Sequence, residues 1–296
     1  MPALSDPIGQ KSHVLFSLRD TLRDEGFIEL VTPVARRADL GAGRRVTADL
    51  DGGRFLRAMI GPALRVTLSP DRKKVFEIGP CFRPEKPDDL HASEFTMLDL
   101  YAADQSFEGL IELAWRLVGP HLPYTPVRVS VADHIRDAFG VDLHHEPIGD
   151  LPQRMAARLG AGPDVPFQDV LGQYIERELE TSSTGAAVFL TEYPLGGDEP
   201  CARLAPGTAA VLERFELIVD GIEVVHGYAD ERDQVAFAER AKAVGLYDDE
   251  QRLAWEAIDA GLVPAATSGL GIGIERLCAA AAGIRGIRPF LQSPRF

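Results

Sequence analysis

The sequence predicts an α+β chain, and three stretches carry that prediction. Residues 76–85 and 91–101 read as two β-strands joined by a short polar loop. Residues 213–219 and 222–225 read as two more strands around Asp220-Gly221, a pair favoured in two-residue hairpin turns. Val14, Leu15, Leu18 and Leu22 recur at helical spacing over residues 14–23. Hairpin strands together with such a helix make an α+β fold.

The opening helix is followed by Gly26-Phe27-Ile28-Glu29-Leu30-Val31-Thr32-Pro33, a strand that stops at a proline, which has no N–H to donate to a ladder. In the next strand pair, alternation sets Arg83 and Glu85 on one face of the first strand. It sets Phe95, Met97, Asp99 and Tyr101 on one face of the second. A cation, an aromatic ring and several carboxylates then look out from a single sheet surface, which suits a nucleotide better than a core. An ordinary hairpin with a surface ion pair is the competing reading.

Residues 120–180 read as a helix-rich insertion, with helices expected at 131–139 and 170–179. Pro147-Ile148-Gly149-Asp150 and Gly160-Ala161-Gly162-Pro163 mark its turns. In the hairpin that follows, the expected register sets Ile218 opposite Glu223 and Glu216 opposite Val225. Glu216 and Glu223 then share a face as diagonal neighbours. Two carboxylates so close repel unless a cation joins them, and their hard oxygens suit a divalent metal; neutralisation by Arg214 is the alternative. Strand parity sends Glu223 and His226 to opposite faces, so both serve one site only if a bulge interrupts the strand near Gly227. Last comes Ser268-Gly269-Leu270-Gly271-Ile272-Gly273-Ile274-Glu275-Arg276-Leu277. Glycine at alternate positions clears one strand face for a flat ligand, and Arg276 opens the helix beyond as a planar cation. GxGxG is not the GxGxxG of a dinucleotide fold.

A length of 296 residues allows one large domain or two small ones; we read residues 1–296 as a single catalytic unit. Hydrophobic content of 45% and charged content of 26% are those of a soluble globular protein. A net charge of −14 argues against broad nucleic-acid binding, which needs clustered Lys and Arg. The densest basic stretches, Arg36-Arg37, Arg44-Arg45 and Arg72-Lys73-Lys74, read as solvated faces. Cys81, Cys201 and Cys278 are odd in number and lack metal-ligand spacing, so a reduced, cytoplasmic protein is expected. The first residues lack a signal-peptide pattern, and no apolar run is long enough to span a membrane.

The run from Phe82 to Phe95, "FRxE…HxxEF", resembles motif 2 of the class II aminoacyl-tRNA synthetases. Residues 268–277 resemble their motif 3, and residues 14–33 their motif 1. The resemblance implies a mainly antiparallel sheet flanked by helices, in a homodimer. It also implies ATP as co-substrate: Arg83 on the α-phosphate, Glu85 on the adenine amine, Phe95 stacked on adenine and His91 on a loop closing over the phosphates. Gly273 would lie at the nucleotide, Arg276 at the γ-phosphate, and Glu216 and Glu223 would hold Mg²⁺.

Within the family the chain is similar to subclass IIb. Phe189-Leu190-Thr191-Glu192-Tyr193-Pro194 and residues 225–234 resemble lysyl-tRNA synthetase and its paralogue that ligates β-lysine onto elongation factor P. Leu56-Arg57-Ala58-Met59 and residues 76–83 look as much like pyrrolysyl-tRNA synthetase. The amino-acid pocket implied by this likeness comprises Gly61, Asp99, Tyr101, His226, Tyr228 and Asp230. Asp99 and Asp230 stand where the lysine enzyme has glutamates around the side-chain amine. Tyr228 stands for a phenylalanine, His226 for an asparagine, and Gly61 for the glutamate that holds the α-amine.

The implied activity is adenylation of a cationic or lysine-like amino acid. Transfer to a protein, a carrier or a small molecule is favoured over tRNA, since the sequence shows no room for an anticodon-binding domain. Aminoacylation of tRNA without that domain, an archaeal-type asparagine synthetase, and an inactive paralogue acting as a binding protein are the alternatives.

Overall fold

The computed structural model describes residues 6–36, 46–48, 53–84, 86–162, 164–197, 199–245, 247 and 249–291. Two compact units are distinguished, Met1–Pro123 with Tyr247–Phe296, and Tyr124–Leu246.

The first unit opens on helix α1 (Pro7–Asp24). Its start lies well before the apolar stripe because Asp6 caps it, the carboxylate accepting the N–H of Gly9 at 2.9 Å, and Pro7 occupies the first turn. The helix buries Val14, Leu18 and Leu22, together with Lys11. Strand β1 (Ile28–Glu29) pairs in parallel with β5 (Lys74–Phe82). Between them, β2 (Ala35–Arg36), β3 (Val46–Ala48) and β4 (Arg54–Leu56) make a small antiparallel sheet in the order β2-β4-β3, and Gly61–Arg65 forms the short helix α2. β6 (Glu94–Ala103) runs antiparallel to β5, with Cys81 opposite Phe95 and Glu77 opposite Asp99. Helix α3 (Phe107–Val118) follows, capped by Ser106.

An ion pair is buried beside β5. Arg57 and Glu77 are 1% and 3% exposed and meet at 2.6 Å. Arg57 also donates to Pro80 O at 2.8 Å and to Thr32 Oγ1 at 3.0 Å, while Glu77 accepts the Thr32 N–H at 2.9 Å. A Cβ on Gly79 would lie 2.2 Å from the guanidinium, so only glycine lets Arg57 pass the strand at that point.

In the second unit, β7 (Pro126–Ser130) is parallel to β8 (Ala187–Pro194). β8, β9 (Val211–Val219) and β10 (Ile222–Ala229) continue antiparallel, in the order β10-β9-β8-β7. Between β7 and β8 lie α4 (Val131–Phe139), α5 (Leu151–Leu159) and α6 (Phe167–Glu178). Their apolar faces enclose a core that includes Ile135, Leu151, Met155, Val170, Tyr174, Leu190 and Ile218. α4 has the bounds expected from sequence, and α6 starts three residues earlier than residue 170. β7 was not expected: its Val127 is exposed, so no alternation marks it, and pairing with β8 makes the strand. α7 (Gln234–Ala243) is capped by Asp233.

The chain then completes the first unit with α8 (Asp249–Asp259), β11 (Thr267–Gly273) and α9 (Ile274–Ala281). β11 is antiparallel to β6, setting Gly269 opposite Tyr101, Gly271 opposite Asp99 and Gly273 opposite Met97. This unit's strands run β1-β5-β6-β11. The architecture is α+β with mainly antiparallel strands and flanking helices, as the sequence predicts.

Replacing Arg57 by Leu leaves Glu77 buried and uncompensated. Urea unfolding should show a loss of about 3–5 kcal/mol, and a second change, Glu77→Leu, should restore part of it. A loss under about 1 kcal/mol would mean that water reaches the pair.

Candidate functional site

In the first unit the candidate residues cluster at the ends of β5, β6 and β11. Arg83 lies just past β5, its N–H bonded to Ser93 O at 3.0 Å. Its guanidinium carbon sits 5.3 Å from the centre of the Phe95 ring, so the predicted cation and aromatic are neighbours. Glu85 lies outside the described residues.

One residue beyond Phe95, the chain is fastened to α9. The Thr96 N–H donates to Glu275 at 3.0 Å, and Glu275, 3% exposed, takes Lys11 Nζ at 2.8 Å. Lys11 also donates to Phe290 O at 3.0 Å and lies 3.3 Å from Thr96 Oγ1. Sequence reasoning missed both residues. Lys11 carried a signal, since it falls on the helical stripe of Val14, Leu18 and Leu22, where a lysine needs a buried partner.

Arg276, next to Glu275, reaches the loop before β6. Its Nη2 donates to His91 Nε2 at 3.1 Å, and its Nε approaches Leu90 O at 3.4 Å. Asp88 shapes that loop: Oδ1 accepts the N–H groups of Leu90 and His91 at 2.7 Å each, and Oδ2 lies 2.8 Å from His91 Nδ1. The imidazole contact holds the Asp88 carboxyl below the ordinary carboxylate range.

Of the alternate glycines of β11, Gly269 does not leave its side of the strand bare. A Cβ on Gly269 would come within 2.9 Å of the Tyr101 ring, so that space belongs to Tyr101. At Gly273 the Arg276 side chain is in ordinary contact, 3.4 Å from a Cβ.

Gly61, Asp99 and Tyr101 do meet, and Asp99 makes backbone contacts that the resemblance does not imply. Asp99 Oδ2 accepts the N–H groups of Ile60 and Gly61, both at 2.9 Å, and so holds the start of α2. Its backbone partners were not legible, because they lie nearly forty residues earlier in the chain. A Cβ on Gly61 would stand 3.1 Å from Tyr101 Cε2, so glycine here lets the ring sit against the loop.

In the second unit the hairpin turns on Asp220 and Gly221, both left-handed at φ 50° and 74°, as its two-residue turn demands. The register differs from the expected one in one respect. Glu223 faces Ile218 as predicted, but a bulge between Glu223 and Val225 then sets Val225 opposite Leu217 and His226 opposite Glu216. The bulge is therefore at Val224, not near Gly227. Because of it, Arg214, Glu216, Glu223, His226 and Tyr228 share one face, and His226 Nδ1 lies 3.7 Å from Glu223 Oε1.

Glu216 is firmly held. Arg214 donates to Oε1 at 2.5 Å, the Tyr193 hydroxyl donates to Oε2 at 2.6 Å, and the Arg214 guanidinium stacks 4.5 Å from the Tyr193 ring. Burial, then the Glu216 charge, raises the Tyr193 phenol well above its ordinary range, so it stays a donor. Asp230 is 1% exposed and bridges to Ala202 at the end of β10. Among the described residues, no three His, Cys, Asp or Glu side chains are grouped to hold a metal ion by themselves. Glu216 and Glu223 fit a cation only if a ligand's oxygens complete its shell. Burial pushes the Cys81 and Cys278 thiols up to about 12, which removes both as nucleophiles at neutral pH.

The family described as tRNA synthetases class II (D, K and N) matches residues 2–295. The Lysine--tRNA ligase of Helicobacter pylori (strain Shi470) is 28% identical over 326 residues, covering 99% of this chain and 64% of the relative. That of Ectopseudomonas mendocina (strain ymp) is 32% identical over 300 residues, covering 90% and 59%. The chain thus spans about three-fifths of the length of these curated relatives. It belongs to the class II tRNA synthetases of the D, K and N group.

Proposed function

We propose that this protein activates an amino acid with ATP and passes the acyl group to a protein, a carrier or a small molecule. The observation that carries the reading is the linked set in the first unit. Arg83 lies over Phe95, and Thr96 is bonded to Glu275, the neighbour of an Arg276 that reaches His91. In a class II synthetase chain this set suits an adenosine triphosphate, with Phe95 under adenine, Arg83 at the α-phosphate, Arg276 at the γ-phosphate, and Gly273 and His91 beside the phosphates.

A carboxylate oxygen of the amino acid attacks the α-phosphorus, the α–β anhydride bond breaks, and its electron pair leaves with pyrophosphate. The carboxylate is already a nucleophile, so the protein's contribution is alignment and charge stabilisation. Mg²⁺, held by Glu216 and Glu223, would offset charge on the phosphates, while Arg214 and Tyr193 keep Glu216 in place. The acceptor's nucleophile then attacks the acyl carbon and AMP departs.

A cationic or lysine-like substrate is supported by the buried Asp230 and by relatives described as lysine ligases. We assign Gly61, Asp99 and Tyr101 of the first unit, and His226 and Tyr228 of the second, to amino-acid binding. The acidic net charge of −14 favours an acceptor other than nucleic acid. A tRNA acceptor is the second reading, favoured by the Lysine--tRNA ligase relatives. We also propose a homodimer: Ile8, Phe16, Ile28 and Val31 expose 64%, 65%, 49% and 92% of their surface on α1 and around β1. A cytoplasmic setting is supported by three buried, unbridged cysteines. Among the described residues no helix is long and apolar enough to cross a membrane.

ATP–pyrophosphate exchange against lysine, β-lysine, ornithine, arginine, aspartate and modified lysines tests activation. Arg83→Ala and Arg276→Ala should each lower the exchange at least about 10²-fold with unchanged circular dichroism; near-full activity in either would remove it from the site. Asp230→Asn should raise KM for the cationic amino acid about tenfold or more. Asp99→Asn, which keeps an acceptor oxygen for Ile60 and Gly61, should leave that KM within about threefold. The reverse order would make Asp99 the recognition group. For the dimer, Phe16→Glu should shift sedimentation to the monomer, and an unchanged profile would place the interface elsewhere.

A further inference from the structure

The contacts around His91 assign different roles to its two ring nitrogens. Arginine has only donors, so the Arg276 Nη2 to His91 Nε2 contact of 3.1 Å requires a lone pair on Nε2. The ring proton is then on Nδ1, where it donates to Asp88 Oδ2 at 2.8 Å. Asp88 is held in turn by the N–H groups of Leu90 and His91, and the loop is fixed again where the Ile287 N–H donates to Asp89 O at 2.9 Å. In this arrangement His91 Nε2 is the acceptor for the cation assigned to the γ-phosphate.

That state does not suit a bound triphosphate. Once Arg276 turns to phosphate, Nε2 keeps a lone pair toward anionic oxygens, and two acceptors repel. We infer that ATP binding is coupled to proton uptake by His91: the proton enters at Nε2, the imidazolium donates there to a phosphate oxygen, and Asp88 balances its charge through Nδ1–H. The proton comes from solvent, and no covalent bond of ATP changes in this step. Asp88 is the positioning residue, acting only through His91. Among the described residues, the charged groups contacting His91 are Asp88 on its own loop and Arg276 on α9. The inference rests on the assignment of Arg276 and His91 to the phosphates.

Because the bound state holds the extra proton, ATP affinity falls as pH rises, approaching tenfold per pH unit at most. Isothermal titration of the whole protein with ATP, at pH 7.5–8.5 in buffers of different ionisation enthalpy, measures the uptake directly. The expected result is an uptake approaching about one proton per ATP in the wild type. His91→Gln should lose it, and Asp88→Asn should reduce it and weaken ATP several-fold, while KM for the amino acid stays unchanged. ATP binding without proton uptake, or uptake undiminished in His91→Gln, would overturn the coupling and leave the ATP reading standing. No ATP binding at all would overturn that reading and the inference with it.

Discussion

The first unit of this protein depends on one buried carboxylate. Glu275 sits where α1, β6 and α9 converge, and its oxygens are taken by Lys11 and the Thr96 N–H. Burying a lysine and a glutamate together is at best weakly stabilising, because both lose their water. Its value here is positional. A charge at 3% exposure tolerates no alternative partner, so α9 has one register against β6. Phe95 and Arg276 are the immediate neighbours of the two bonded residues, and they inherit that precision.

The same device recurs nearby with different chemistry. Arg57 and Glu77 fasten Thr32, three residues past β1, to the middle of β5. Asp99 fastens α2 to β6 through two backbone N–H groups. Each places a charge inside the unit and satisfies it with backbone groups, joined at Arg57 and Glu77 by the opposite charge, the condition under which a buried charge is tolerable. Two glycines complete the scheme by absence, Gly79 making way for Arg57 and Gly269 for Tyr101. The strands that carry the candidate residues are thus held in place by buried charges and by the glycines that make room for them.

Local pattern made much of this legible. The span of α4, the Asp220-Gly221 turn and the pairing of the strands carrying Arg83 and Phe95 follow from periodicity and turn chemistry, which act over a few residues. What escaped notice depends on partners far along the chain. Asp99 has the same alternation whether it faces a ligand or α2, and Glu275 reads as an ordinary first-turn acid. β7 has an exposed apolar position and becomes a strand only beside β8. The bulge was inferred from the wish to bring Glu223 and His226 together, but nothing local set it at Val224 rather than Gly227.

Val224 makes the hairpin behave like a reading frame. Side chains on a strand alternate strictly, so the number of residues between the Asp220-Gly221 turn and His226, rather than their identity, decides which side His226 and Tyr228 face. Dropping one residue from this arm would leave every later side chain intact and turn it the wrong way. Exchange of Val224 for another apolar residue would be a spelling change; its deletion would be a frameshift written in three dimensions.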